Sequence, residues 1–90
     1  MGEMLTDLQF DILDTLYFVE PFEKIIEEVN TTRPILIDEL RTMIDRGWIQ
    51  VMEFDKGQGD YFRTSIFDTD KLETYFFLAT KEGLLKHNGH

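Results

Sequence analysis

The sequence has no cysteine, which excludes a disulfide framework, a thiolate metal site and a cysteine nucleophile. No apolar run approaches the ~20 residues needed to span a bilayer, so no membrane partner is expected. Met1-Gly2-Glu3-Met4 has no basic stretch of the kind that opens a signal peptide, and a cytoplasmic location is the expectation. Basic residues are few: nine Lys and Arg stand against 18 Asp and Glu, for a net charge of −9. Such a balance opposes binding to phosphate backbones. A Ser/His/Asp arrangement and a Gly-rich phosphate loop are both missing. The two histidines, His87 and His90, lie at a C-terminus expected to fray. As an i, i+3 pair they lack the further ligands of a structural zinc. The close pairs Asp11/Asp14 and Glu27/Glu28 read as solvated helix faces. No catalytic activity, metal or cofactor is expected.

What is present suits one domain over residues 1–90. Hydrophobic residues make up 42% of the chain, and eight Phe, three Tyr and one Trp can fill much of a core. A chain this short buries a modest share of its surface, so oligomerisation would add stability. The acidity is concentrated at the front. Residues 1–32 carry eight acids against Lys24 alone, whereas 33–54 and 55–90 each carry a net −1. A partner-binding surface in the second half therefore remains open.

Thr6-Asp7-Leu8-Gln9 fits a capping box, with Leu5 and Phe10 placed for a hydrophobic staple. Leu8, Ile12, Leu13, Leu16 and Tyr17 follow at helical spacing, opposite Asp7, Asp11 and Asp14. The spacing predicts a helix ending near Phe18. Pro21 can open a second, shorter helix, whose stripe is Phe22, Ile25, Ile26 and Val29. Asn30-Thr31-Thr32 reads as a tight turn that also caps the next helix. Pro34 falls in that helix's first turn. Its inner stripe is Leu36, Leu40, Met43 and Ile44, with Ile37 at the edge, and Gly47 closes it in a left-handed cap. Trp48 to Phe54 reads as a strand and Asp55 to Asp60 as a turn. Tyr61 to Phe67 reads as a second strand, Asp68 to Lys71 as a turn, and Tyr75 to Leu78 as a third, short strand. Thr80 can cap a last helix from Lys81 to about His87. The class is α+β: three N-terminal helices, an elaborated β-hairpin and a short C-terminal helix.

Two short helices joined by a tight turn, then strand–turn–strand, resemble a winged helix-turn-helix over Ile26 to Ile49 and Tyr75 to Leu84. The run Leu40-Arg41-Thr42-Met43-Ile44-Asp45-Arg46-Gly47-Trp48-Ile49 is similar to the end of the recognition helix in MarR-like and PadR-like transcriptional regulators. Thr80-Lys81-Glu82-Gly83 resembles the T-x-x-G that opens the helix after their second wing strand. The chain departs from the pattern in three places: Ala79 stands where Leu is usual, the stretch from Phe54 to Tyr75 is long for a wing, and the last helix is short.

The resemblance implies a regulator of transcription that binds double-stranded DNA, its third helix in the major groove and its wing on the backbone or minor groove. A homodimer is expected, because one recognition helix reads few base pairs. Thr32 and Arg33 sit where a helix N-terminus favours phosphate. Arg41 and Thr42 could reach base edges, and Lys56 and Arg63 could enter or flank the minor groove. Against this, the outward face of the third helix carries Asp38, Glu39 and Asp45, and the spacing allows Asp38–Arg41 and Arg41–Asp45 pairs. The competing reading is a winged helix used for protein–protein contact. There the aromatic residues Tyr61, Phe62, Phe67, Tyr75, Phe76 and Phe77 would form a partner or dimer surface, or else fold into a second small cluster. Trp48 reads as a core anchor at the helix–strand junction.

Overall fold

In the computed structural model, which describes residues 4–89, the capping box is formed. Thr6 Oγ1 accepts from the Gln9 N–H at 3.1 Å, and Gln9 Oε1 accepts from the Thr6 N–H at 3.0 Å. Helix α1 (Asp7–Thr15) stops short of the expected Phe18. The Leu16 N–H turns back to the Leu13 carbonyl, tightening the last turn, and the chain then extends into a strand that the sequence reading lacked. This is β1 (Glu20–Pro21), which pairs with Phe77 and Phe76. Pro21 accordingly caps α2 (Phe22–Glu28) in extended conformation and does not lie in its first turn.

Four residues join α2 to α3 (Arg33–Asp45), within the usual length of a helix-turn-helix connection. Thr32 is the N-cap residue, but its side chain makes no cap hydrogen bond, contrary to expectation. Pro34 lies in the first turn, and Gly47 follows the helix at φ +79°. Leu36, Leu40 and Met43 are fully buried, with Ile37 and Ile44 packed at the margin.

Strands β2 (Ile49–Asp55) and β3 (Asp60–Arg63) form the hairpin. The second strand is shorter than the expected Tyr61–Phe67, because Thr64 and Ile66 close a local side-chain turn instead. The expected turn at Asp68–Lys71 is a 3₁₀ segment (Thr69–Thr74), capped by Asp68, whose carboxylate accepts from the Asp70 N–H at 2.9 Å. This segment drops Leu72 into the core. The chain then runs through β4 (Phe76–Ala79) into α4 (Lys81–Asn88), one residue beyond the expected end. The four strands form one antiparallel sheet in the order β1-β4-β2-β3. The domain is thus a small α+β unit, with the helices covering one face of the sheet.

Register fixes which side chains face the helices. Ile49 pairs with Ala79 and Val51 with Phe77, and all four are buried in the core. Ile12, Leu13, Leu16, Phe22 and Ile25 close over them. Trp48 is the anchor expected: it is buried, with Arg46 and Lys86 placed over its ring at 5.3 and 5.4 Å. Phe67 and Tyr75 meet edge to face and pack on the core. Phe10 stacks on His87 at 4.3 Å between ring centres.

The Thr80-Lys81-Glu82-Gly83 motif has a direct physical cause. Thr80 Oγ1 accepts from the Gly83 N–H, its hydroxyl donates to the Gly47 carbonyl, and its N–H donates to the Trp48 carbonyl. These bonds seat the first turn of α4 on the α3–β2 junction. A Cβ at position 83 would lie 2.1 Å from the Trp48 carbonyl oxygen. Gly83→Ala is therefore expected to destabilise by about 3 kcal/mol or more, since rigid backbone must move. Gly59, at φ +67° with nothing within 4 Å of its Cβ position, should cost only about 1 kcal/mol as Ala. Urea unfolding of the two variants measures the contrast, and equal losses would contradict it.

Candidate interaction surface

The cations expected to face DNA are held in two different places. Arg33, at the start of α3, is gripped by two carboxylates. Its Nη1 and Nη2 donate to the Glu23 carboxylate on α2, and its Nε and Nη2 donate to Glu73 Oε2 at 3.0 and 2.7 Å. The guanidinium also lies 5.0 Å from the centre of the Phe22 ring. The hydrogen bond from Arg33 holds the Glu23 carboxyl below its ordinary range, and the two carboxylates push the guanidinium further up. Such a bidentate grip leaves little of the fork free for a phosphate.

Arg41 is engaged in the same way. Its Nε and Nη2 donate to the Thr69 carbonyl at 3.3 and 2.9 Å, and it pairs with Asp38 at 3.4 Å and Asp70 at 3.5 Å. The Asp38–Arg41 pair was legible in the i, i+3 spacing; Asp70 comes from across the fold. The Thr42 hydroxyl donates to the Asp38 carbonyl one turn back. Thr32 is exposed beside Arg33. Both arginines of this group thus clamp the 3₁₀ segment onto α3.

Lys56 and Arg63 lie on the hairpin and have no ion-pair or hydrogen-bond partner among the described residues. Arg63 pairs in register with Met52, which places it on the sheet face turned away from the helices. Lys56 borders a groove on that side. The four cations do not form one surface: Arg33 and Arg41 serve the helical side, Lys56 and Arg63 the other.

That other side is apolar. Side chains alternate along each strand, so with Ile49 and Val51 facing the core, Met52 and Phe54 face outward. Their cross-strand neighbours are Tyr61, Arg63 and Phe76, with Leu78 beside Gln50. Tyr61 meets Phe54 and Phe76 edge to face, each at 5.0 Å between centroids. Met52 is 8% exposed although it does not belong to the core cluster; this outer layer of rings covers it. Phe54 and Tyr61 remain 44% and 38% exposed. A groove of about 450 Å³ runs here, lined by Glu53, Phe54, Lys56, Tyr61, Thr74 and Phe76.

His87 is already occupied. Its Nε2 lies 3.1 Å from Asp14 and its Nδ1 lies 2.8 Å from the Tyr17 hydroxyl; His90 lies outside the described residues. Among the described residues there is no group of three or more His, Cys, Asp or Glu that could hold a metal ion. No described helix is long and apolar enough to cross a membrane.

No family model, curated protein or solved structure matches this chain. The reading of its surface therefore rests on its own residues.

Sequence reasoning missed Glu23 and Glu73 as partners of Arg33, since no spacing rule links positions so far apart. Phe54 and Met52 were missed as surface residues, although their signal was there. Ile49 and Val51 on one alternating face and Met52 and Phe54 on the other make each face mostly apolar, the pattern of a strand covered on both sides.

The Arg33 clamp has a pH signature. Because the Glu23 carboxyl titrates below its ordinary value of 4.5, its contribution is present above that value and is lost as the pH falls through the folded-state value. The stability advantage of the native protein over Glu23→Gln is expected to hold at neutral pH and shrink toward zero below about pH 4. Urea unfolding of both proteins between pH 7 and pH 3 reads it; a difference that does not vary with pH would exclude the clamp.

Proposed function

We propose that this chain is a winged-helix domain that works by associating with protein, and that it performs no chemistry. Three helices, with α2 and α3 joined by four residues, then a hairpin and a closing helix, support the winged-helix reading. The observation that carries the function is the open apolar layer of Met52, Phe54, Tyr61 and Phe76 on the sheet face away from the core. Exposed apolar layers with a polar rim are the mark of interaction sites. Here Lys56, Glu53 and Arg63 supply the rim.

The disposition of the α3 arginines points the same way. A recognition helix contributes affinity through cations free to reach phosphates. Arg33 and Arg41 instead spend their donors on Glu23, Glu73, Asp38, Asp70 and the Thr69 carbonyl. Docking against DNA would break these bonds and set the freed carboxylates facing the phosphates. Ile35, half exposed on the same helix, adds an apolar contact better suited to protein.

Fluorescence anisotropy with random duplex DNA at about 50 mM and about 200 mM salt discriminates between the two uses of the fold. No binding at either concentration is the expected result. Affinity that falls steeply with salt, and that disappears in an Arg41→Ala/Lys56→Ala double variant, would overturn the proposal in favour of a DNA-binding regulator.

A further inference from the structure

The sheet has two edges, and they differ. At one, β1 is two residues long and contains Pro21, which has no N–H to offer a further strand. At the other, β3 is exposed along its whole length. Its hydrogen-bonding side follows from the ladder. The Thr64 N–H donates to the Val51 carbonyl at 2.9 Å, and these two residues continue the β2–β3 register. Hydrogen-bonded pairs alternate in an antiparallel ladder, so Phe62 bonds to Glu53 while the N–H and C=O groups of Tyr61 and Arg63 point away from β2. Among the described residues, the outward groups of these two positions meet only the neighbouring Asp60 carboxylate, which accepts from the Tyr61 N–H at 2.8 Å. No proline or bulge guards this edge.

From these features we infer that β3 pairs antiparallel with β3 of a second copy of the chain, centred on Phe62, to give a continuous eight-stranded sheet. This edge adjoins the outer face proposed above but is a separate surface, so the inference goes beyond that reading and leaves the apolar layer open in both copies. Charge selects the second copy's approach. Eight of the 18 acids lie in residues 1–32, against Lys24 alone, and that part of the chain includes the opposite edge β1. The hairpin from Ile49 to Arg63 carries Glu53, Asp55 and Asp60 against Lys56 and Arg63, a net −1 where residues 1–32 carry −7. Two chains of net charge −9 therefore meet with least repulsion at the β3 edge.

Symmetry selects the register. A two-fold axis that joins two antiparallel edge strands stands perpendicular to the sheet, so each residue keeps its face. Position i must then meet position i plus an even number, because cross-strand partners share a face. Centring on Tyr61 would set Arg63 against Gly59, whose N–H is already given to the Asp55 carbonyl at 2.8 Å. Centring on Phe62 sets Tyr61 against Arg63 of the other copy, and the outward groups of all four residues form four hydrogen bonds once each Tyr61 N–H turns from its own exposed Asp60 carboxylate to the Arg63 carbonyl of the other copy. In that register each Arg63 guanidinium, unpaired in the single chain, meets the ring of a Tyr61. The two Phe62 side chains, each 46% exposed, face one another in a close, non-hydrogen-bonded pair. The Phe62 pair lies on the sheet face opposite Tyr61, while on the outer face Tyr61 and Arg63 of the two copies join the two aromatic layers.

The native chain has no cysteine, so single thiols report the register directly. Oxidation of Phe62→Cys is expected to give a covalent dimer, since facing non-hydrogen-bonded residues sit about 4.5 Å apart at Cα, within disulfide reach. Arg63→Cys alone should cross-link poorly, and Tyr61→Cys/Arg63→Cys should recover the dimer. Sedimentation velocity of the unmodified chain from about 10 µM to about 500 µM should show a reversible monomer–dimer equilibrium, as suits a small interface. Arg63→Pro removes one outward N–H without touching the β2 ladder, so it should leave thermal unfolding of the monomer cooperative and weaken the dimer about tenfold or more. Three results would overturn the proposal: a monomer at every concentration, a dimer indifferent to Arg63→Pro, or Arg63→Cys cross-linking as fast as Phe62→Cys. Any of these would leave the reading of the outer face as a protein-binding surface to be judged by the duplex titration alone.

Discussion

The contact on which the rest of the architecture depends is the seat of α4 on the backbone of Gly47 and Trp48. Three hydrogen bonds from or to Thr80 hold it, and the missing side chain of Gly83 allows it. Its consequences spread in both directions along the chain. The Ala79 N–H reaches the Leu16 carbonyl, so β4 is tied to the end of α1, and the Ile49–Ala79 pair then sets the register of β4 against β2. With that register fixed, Val51 and Phe77 must face the helices, and Met52 and Phe76 must face away. A core this small tolerates few alternatives. The Trp48 ring fills the same junction from the other side, under Arg46 and Lys86.

The outer face follows from the inner one. Once β2 commits Ile49 and Val51 to the core, period-two alternation leaves Met52 and Phe54 nowhere to go but outward. A sheet used only as the floor of a helical core carries polar residues there. This one carries Met, Phe and Tyr, and the rings meet edge to face beside Met52. A dry layer built without a second sheet or helix over it has an unused capacity for burial, worth roughly 25 cal/mol for each Å² that a partner covers.

Much of the fold was legible because its local signals are strong. The capping box at Thr6 and Gln9, the stripe from Phe22 to Val29, Pro34 in the first turn of α3 and Gly47 after its end all act within one turn of the chain. What escaped was non-local. β1 is two residues long, and its only signature is its partner Phe76–Phe77, which lies far along the chain. The 3₁₀ segment from Thr69 to Thr74 holds a single buried residue, Leu72, too little for any periodicity to register. The clamp on Arg33 depends on Glu23 and Glu73, which meet only after the long excursion from β3 returns to the helices. Gln9 shows the same limit. Its capping role was visible three residues away, while its 2.7 Å bond to Glu39, joining α1 to α3, was not.

The fate of the arginines explains how an acidic chain can keep basic residues on a helix of this kind without their implying a nucleic-acid partner. The excursion between β3 and β4 runs from one edge of the sheet back to its middle, and something must hold it against α3. Leu72 supplies the apolar part of that attachment and Arg33 and Arg41 supply the polar part, one at each end of the 3₁₀ segment. Position along α3 alone leaves both side chains open to a groove of DNA; their hydrogen-bond partners tie them to the 3₁₀ segment. Exposed ion pairs contribute little when isolated, but these two share a segment and order it together, and Arg33 is shared by two carboxylates. The long connection between β3 and β4 thus takes up guanidinium donors that position along α3 alone would leave free. The cations that remain unpartnered, Lys56 and Arg63, lie beside the aromatic layer, where they form the polar border of a surface whose centre is apolar.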